Sequence, residues 1–209
     1  MKILQWRRWF WRIGMVAVLA GCSQFPVYPE IPVQYYDLGP VAEASAAARP
    51  WRVSVNAREE LRAQAMRYRL LYDQPTEVRL YARSQWVEPP AGIVRKALET
   101  RLFWPEGAKA DQCSLNLVLL RFEQEFDTPE TSRGVLTIRA MLRRGGVIVD
   151  ERLWTLAIPA SSPDAIGGVT ALAGSVNSLA EALQSWRAEQ KEVCGTESPN
   201  QPYYPLDEF

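Results

Sequence analysis

The chain has 209 residues, with 24 basic and 24 acidic side chains and no histidine. The missing imidazole excludes Ser-His-Asp and Cys-His catalysis and every metal site that uses histidine. The charge balance leaves no basic excess for electrostatic binding of nucleic acid.

The N-terminus is basic, then apolar. Lys2, Arg7, Arg8 and Arg12 precede an apolar run over residues 13–20, and Leu19-Ala20-Gly21-Cys22 closes it. This is signal-peptide anatomy. The arginines leave a run shorter than the roughly 20 apolar residues of a spanning helix. The closing tetrapeptide is the pattern of a bacterial lipoprotein signal. It predicts cleavage after Gly21, a thioether-linked diacylglycerol on the Cys22 sulfur, and an acyl group such as palmitate on the new amine. Two or three such chains anchor stably, at about 0.8 kcal/mol for each buried CH₂. Residues 1–21 are therefore expected to be a removed signal. They take four basic side chains and no acidic one with them, so the mature chain is acidic. An Asp after the cysteine would mark retention at the inner membrane. Ser23 stands there instead, and predicts the outer membrane, facing the periplasm.

Residues 22–34 carry Pro26, Pro29 and Pro32, a spacing that favours an extended, semi-rigid tether. Residues 35–194 are long enough for one domain with a real core. Tyr35-Tyr36-Asp37-Leu38 reads as a first strand, closed by Gly39-Pro40. Residues 41–50 read as a loop. Residues 51–55 alternate as a half-buried strand, and residues 59–65 as a short helical turn. The runs 66–72 and 76–82 flank Asp73-Gln74-Pro75, a hairpin signal. Pro89 and Pro90 open a helix whose apolar face carries Ile93, Val94, Ala97, Leu98 and Leu102, and Trp104-Pro105 ends it.

A three-strand meander follows. Residues 114–126 are apolar on both faces in their first half, which predicts burial on both. Residues 134–143 alternate, with Leu136, Ile138, Ala140 and Leu142 on one face. Gly145-Gly146 suits a tight hairpin, and residues 147–158 form the third strand. Ser162 as N-cap and Pro163 as first helical residue open a second helix reaching about Gln190. Its apolar side is predicted to carry Ile166, Val169, Ala173, Val176, Leu179 or Ala180, Leu183 and Trp186, with small residues allowing close approach to a sheet. Residues 195–209, with three prolines, are expected to be a disordered tail. The fold class is α+β: a largely antiparallel sheet with two helices packed on one face, in a single domain.

At this point the chain resembles the ABC-type transport auxiliary lipoproteins, the group that includes the lipoprotein of the paraquat-inducible transport system. The matching pieces are Tyr35 to Pro40 after the lipidation cysteine, Tyr68-Arg69, Val78 to Trp86 with Pro89-Pro90, and Phe122 to Asp127. Further matches are Ser132 to Met141, and Pro159 with the small-residue helix ending at Trp186. The resemblance implies a docking subunit for a transporter that carries an MCE-domain protein and moves lipids between the inner and outer membranes. It implies no cofactor and no catalysis. A homo-oligomer is a further expectation. The alternative is a structural lipoprotein of another envelope or secretion complex. A hydrolase is disfavoured by the missing histidine and the missing G-x-S-x-G elbow.

The site candidates each have two readings. Trp86, at a strand-to-helix corner, is a partner contact or a cap over the core. Tyr35 and Tyr36 are partner contacts or pair into the sheet. Glu123, Glu125 and Asp127 share a face at a strand end, where a solvated edge is expected and acid–base chemistry is the lesser alternative. Tyr203-Tyr204-Pro205-Leu206 is a docking motif or a plain end. Cys113 and Cys194 are expected to form a disulfide. The third meander strand runs parallel to the first, and the last helix returns antiparallel to it, towards the end of the sheet where Cys113 starts. The alternative is two free thiols.

Overall fold

The computed structural model describes residues 31–40, 49–50, 52–104, 113–190 and 193–194. The folded domain is the unit that runs from Val33 onward.

Its strands are β1 (Gln34–Tyr36), β2 (Arg49–Pro50), β3 (Val53–Ala57), β4 (Ala65–Leu70), β5 (Arg79–Trp86), β6 (Phe103–Trp104), β7 (Cys113–Phe126), β8 (Ser132–Arg144) and β9 (Val147–Pro159). Its helices are α1 (Pro90–Glu99) and α2 (Ala165–Glu189), with a 3-10 turn at Glu59–Leu61. Seven strands form one sheet in the order β1-β5-β4-β7-β8-β9, with β3 also on β7; β2 and β6 form a separate pair. β7, β8 and β9 run antiparallel along their lengths, as do β4 and β5. Three shorter pairings are parallel: β1 with β5, β3 with β7, and β4 with β7. The expected α+β class holds, with a more mixed sheet than the meander alone implies.

β7 organises the sheet. β8 takes one edge along its whole length, while β3 and β4 share the other, β3 on residues 115–119 and β4 on residues 124–126. A bulge between Leu119 and Arg121 separates the halves. The extra residue changes which parity faces the helices. Leu115, Leu117 and Leu119 face them before the bulge, and Phe122 and Gln124 after it. The opposite side chains of the first half, Asn116, Val118 and Leu120, are only partly covered, so burial on both faces does not hold. One face is sealed by helices and the other is shielded mainly by long polar side chains.

The core lies between that face and the helices. Leu98 of α1, Leu115, Leu117 and Leu119 of β7, Leu136 and Ile138 of β8, and Leu179 and Leu183 of α2 are all 0% exposed. Full burial of each such side chain is worth roughly 2 kcal/mol. The apolar face expected for α1 is the one observed, with Ile93, Val94, Ala97 and Leu98 buried. Pro89 serves as its N-cap, and the helix ends at Glu99 before β6, short of the Trp104-Pro105 stop.

In its first half α2 meets the sheet through its small residues, as expected, but departs from expectation at Ile166. The buried residues there are Ala165, Gly167, Gly168, Ala171 and Leu172, while Ile166 is 59% exposed. Contact distance explains the choice. A Cβ at Gly168 would sit 2.1 Å from Oε1 of Gln124, and one at Gly134 of β8 would sit 2.7 Å from the backbone nitrogen of Leu172. Only small residues let helix and sheet approach this closely, so they occupy the inner face and the larger Ile166 is turned out. Trp186, later in α2, is buried against Trp154 of β9. Among the described residues no helix is long and apolar enough to cross a membrane.

The end of α2 is fixed covalently. Cys113, at the start of β7, and Cys194, beyond α2, form a disulfide with a Cα–Cα distance of 5.7 Å. The topological argument from the meander therefore holds. Both cysteines are buried.

Candidate docking site

β1 is an edge strand, paired only with β5 among the described residues. The Tyr36 carbonyl accepts a hydrogen bond from the Val87 amide at 2.9 Å, which locks the strand to the corner after β5. Asp37 then turns the chain. Its Oδ1 accepts from the Gly39 amide at 2.8 Å, and Gly39 takes φ +85°, a backbone that favours glycine. Tyr36 and Leu38 pack against the core, whereas Tyr35 is 59% exposed.

The turn leaves a cleft of about 410 Å³. Tyr35, Tyr36, Asp37, Leu38 and Gly39 form one wall with Val87, and Val169, Thr170 and Ala173 of α2 form the other. Its volume lies in the range of ligand-binding sites. The lining is largely apolar, and Asp37 is the single charged residue in it. The Thr170 hydroxyl donates to the Ile166 carbonyl at 3.0 Å, so it is engaged within the helix. The Tyr36 hydroxyl donates to Oε1 of Gln34 at 2.6 Å. This arrangement suits binding of an apolar segment and offers no nucleophile beside a base.

The structure therefore brings Tyr35 and Tyr36 to one cleft, whereas Trp86, although paired with Tyr36 across β1 and β5, is not part of its lining. Trp86 is 1% exposed, with its ring centroid 5.3 Å from that of Phe122. It caps the core and cannot be a partner contact. Sequence reasoning missed the α2 wall. Val169 and Ala173 carry an apolar signal, and periodicity alone places them on the helix's core side. Cys22, the tether through residue 30, and Tyr203 to Leu206 lie outside the described residues.

Glu123 and Glu125 also differ from expectation. They are 3% and 5% exposed, not solvated. Nε of Arg69, from β4, lies 2.7 Å from Glu123, and Arg121 bridges Glu123 at 3.4 Å and Glu125 at 3.0 Å. Arg133 spans Glu125 at 3.3 Å and Asp127 at 2.8 Å. Arg69 also donates to the carbonyls of Pro75 and Thr76 in the β4–β5 loop, which closes over the pair. Three cations therefore match three carboxylates. With each carboxylate neutralised, the cluster has the form of a structural clasp. Among the described residues no group of three or more His, Cys, Asp or Glu could hold a metal ion.

No family model matches the chain, and no curated protein matches it. Solved structures do. The chain is similar to the crystal structure of protein XCC0632 from Xanthomonas campestris, described as a member of family DUF330. The TM-score is 0.59 at 16% identity, over 77% of this chain and 99% of that one. A second crystal structure, of an uncharacterised protein, matches with a TM-score of 0.59 at 15% identity, over 75% of this chain and 99% of that one. At these identities the likeness is one of fold, and it spans essentially the whole of both neighbours.

Proposed function

We propose that this chain is an outer-membrane lipoprotein that docks, as an auxiliary subunit and not as an enzyme, onto an ABC-type system containing an MCE-domain protein that moves lipids between membranes. The observation that carries the reading is the cleft beside β1. The stretch Tyr35 to Gly39, which carries part of the family resemblance, forms its wall just downstream of the lipidation signal and tether. The resemblance supplies the class of partner, and the DUF330-like fold is compatible with it.

The test uses the full chain, extracted in mild detergent. Wild type is expected to take up acyl label at Cys22 and to co-purify with an MCE-domain protein, while Cys22→Ser loses the label. Tyr35→Ala with Val169→Asp should weaken capture by about tenfold or more, since such anchors carry much of an interface, and should leave the Cys113–Cys194 bond intact. Capture of a secretion or cell-wall complex without any MCE-domain protein would replace this reading with that of a structural lipoprotein. Robust esterase or phosphatase turnover would overturn it.

A further inference from the structure

Gln124 is a polar side chain on the helix-covered face of β7, and it is 1% exposed. Both ends of its carboxamide are engaged. Oε1 accepts from the Tyr81 hydroxyl at 2.8 Å, and Nε2 donates to Oγ of Ser132 at 2.8 Å. The same amide fills the notch that α2 leaves at Gly168. A Cβ there would fall 2.1 Å from Oε1, 2.7 Å from Cδ and 3.4 Å from Cβ of Gln124. A buried amide costs free energy unless its hydrogen bonds are made. What it supplies, and an apolar side chain could not, is a fixed direction: β5, β8 and α2 all meet one group.

Those elements include both walls of the cleft. Tyr81 belongs to β5, the strand that carries β1 and runs into Val87. Gly168 directly precedes Val169 and Thr170 of the opposite wall. We propose that Gln124 is a positioning residue for the cleft: held in the Gly168 notch by Tyr81 and Ser132, its amide sets how far the α2 wall stands from the β1 wall. The role rests on the reading of the cleft as the docking site. Gln124 is not part of the lining, so it acts only through the walls. The amide cannot swing away from a methyl group added at Gly168 without leaving both of its hydrogen-bond partners. The helix must therefore yield.

The experiment reads wall position and capture separately. In the full chain carrying Cys22→Ser, Val87→Cys and Thr170→Cys, the other two cysteines are bonded, so spin labels go only to the two walls. Gly168→Ala should shift the distance between the labels by roughly 1 Å, the shortfall from ordinary contact. Adding Gln124→Ala removes the obstructing amide and leaves 3.4 Å to the remaining Cβ, so the double variant should regain the parent distance. Gln124→Ala alone leaves the notch empty and should broaden the distribution, a second readout if Gly168→Ala does not fold. In unlabelled chains with Cys22 intact, capture of the MCE-domain protein should fall about fivefold or more in Gly168→Ala and return to within about twofold in the double variant. The double variant still lacks both hydrogen bonds of the amide, so its urea midpoint should stay low while its capture recovers. An unmoved and unbroadened distance in both single variants would overturn the proposal, as would capture that follows the urea midpoint and not the distance. A distance that shifts and reverts while capture never changes would uphold Gln124 as the residue that positions the wall, and would remove the docking reading of the cleft.

Discussion

At the scale of single residues, burial separates ion pairs that matter from those that do not. The Arg62–Glu59 pair is short, at 2.6 Å, but its side chains are 67% and 80% exposed. Such a pair is worth no more than about 0.5 kcal/mol after screening and side-chain entropy. Arg69 and Glu123 are 22% and 4% exposed. Removing Arg69 strands a buried carboxylate with only Arg121, at 3.4 Å, as its cation. Arg69→Met should therefore cost about 2–3 kcal/mol, and Arg62→Met almost nothing. Urea midpoints at unchanged slope measure the difference, and equal effects would show that burial is not the deciding term. The alternation that puts Glu123 and Glu125 on one face was legible in the sequence. Their burial was not, because Arg69, the cation nearest Glu123, comes from a strand more than fifty residues earlier. Trp86 shows the same limit. The corner it stands on was readable, and the Phe122 ring that buries it was not.

At the scale of elements, helix termini show how local signals compete. Ser162, Pro163 and Asp164 each suit a helix start, and the sequence favours Ser162 as cap. In the structure Asp164 holds the cap, in extended backbone, and accepts from the Gly167 amide at 2.8 Å. Ser162 instead donates its hydroxyl to Oδ1 of Asp164 at 2.7 Å. Steric fit at the first turn is consistent with this choice, because Ser162 lies directly against Gly167, where a Cβ would fall 2.1 Å from its carbonyl oxygen. Asp164→Ala should cost about 1 kcal/mol. The Gly167 amide, and then the Ser162 hydroxyl, hold the Asp164 carboxyl below its ordinary range. A depressed carboxyl contributes fully above its unfolded pKa, near 3.9, and loses that contribution as pH falls through the folded value. The stability gap between wild type and Asp164→Asn should therefore be constant at neutral pH and shrink below about pH 4. A gap that persists unchanged in acid would exclude the charged cap as its source. The strands of the meander and the face of α1 were readable because their apolar periods are clean. The close approach of α2 through its small residues was readable too, but the outward turn of Ile166 was not, because how closely the sheet lies decides which residues fit beneath the helix.

At the scale of the whole molecule, the Cys113–Cys194 bond closes a loop of 81 residues that contains β7, β8, β9 and α2. In the chain-entropy account a loop of that length stabilises by about 4.5 kcal/mol, less whatever structure the unfolded chain retains. Replacing both cysteines with alanine should lower the unfolding free energy by several kcal/mol, read from urea curves with and without reductant. Reductant should then leave the double variant unmoved and shift wild type towards it. The pairing was legible from strand directions alone, whereas the cleft wall contributed by Val169 and Ala173 needed the packing of α2. The bulge in β7 has a consequence for how the chain tolerates changes of length. It works as a built-in frameshift, correcting the register of inward and outward side chains midway along the central strand. Loss of one residue there would carry Glu123 and Glu125 beneath the helices and hand Phe122 and Gln124 to water. A length error of a single residue at Leu120 would thus invert half of the domain's central strand, which no single substitution in β7 can do.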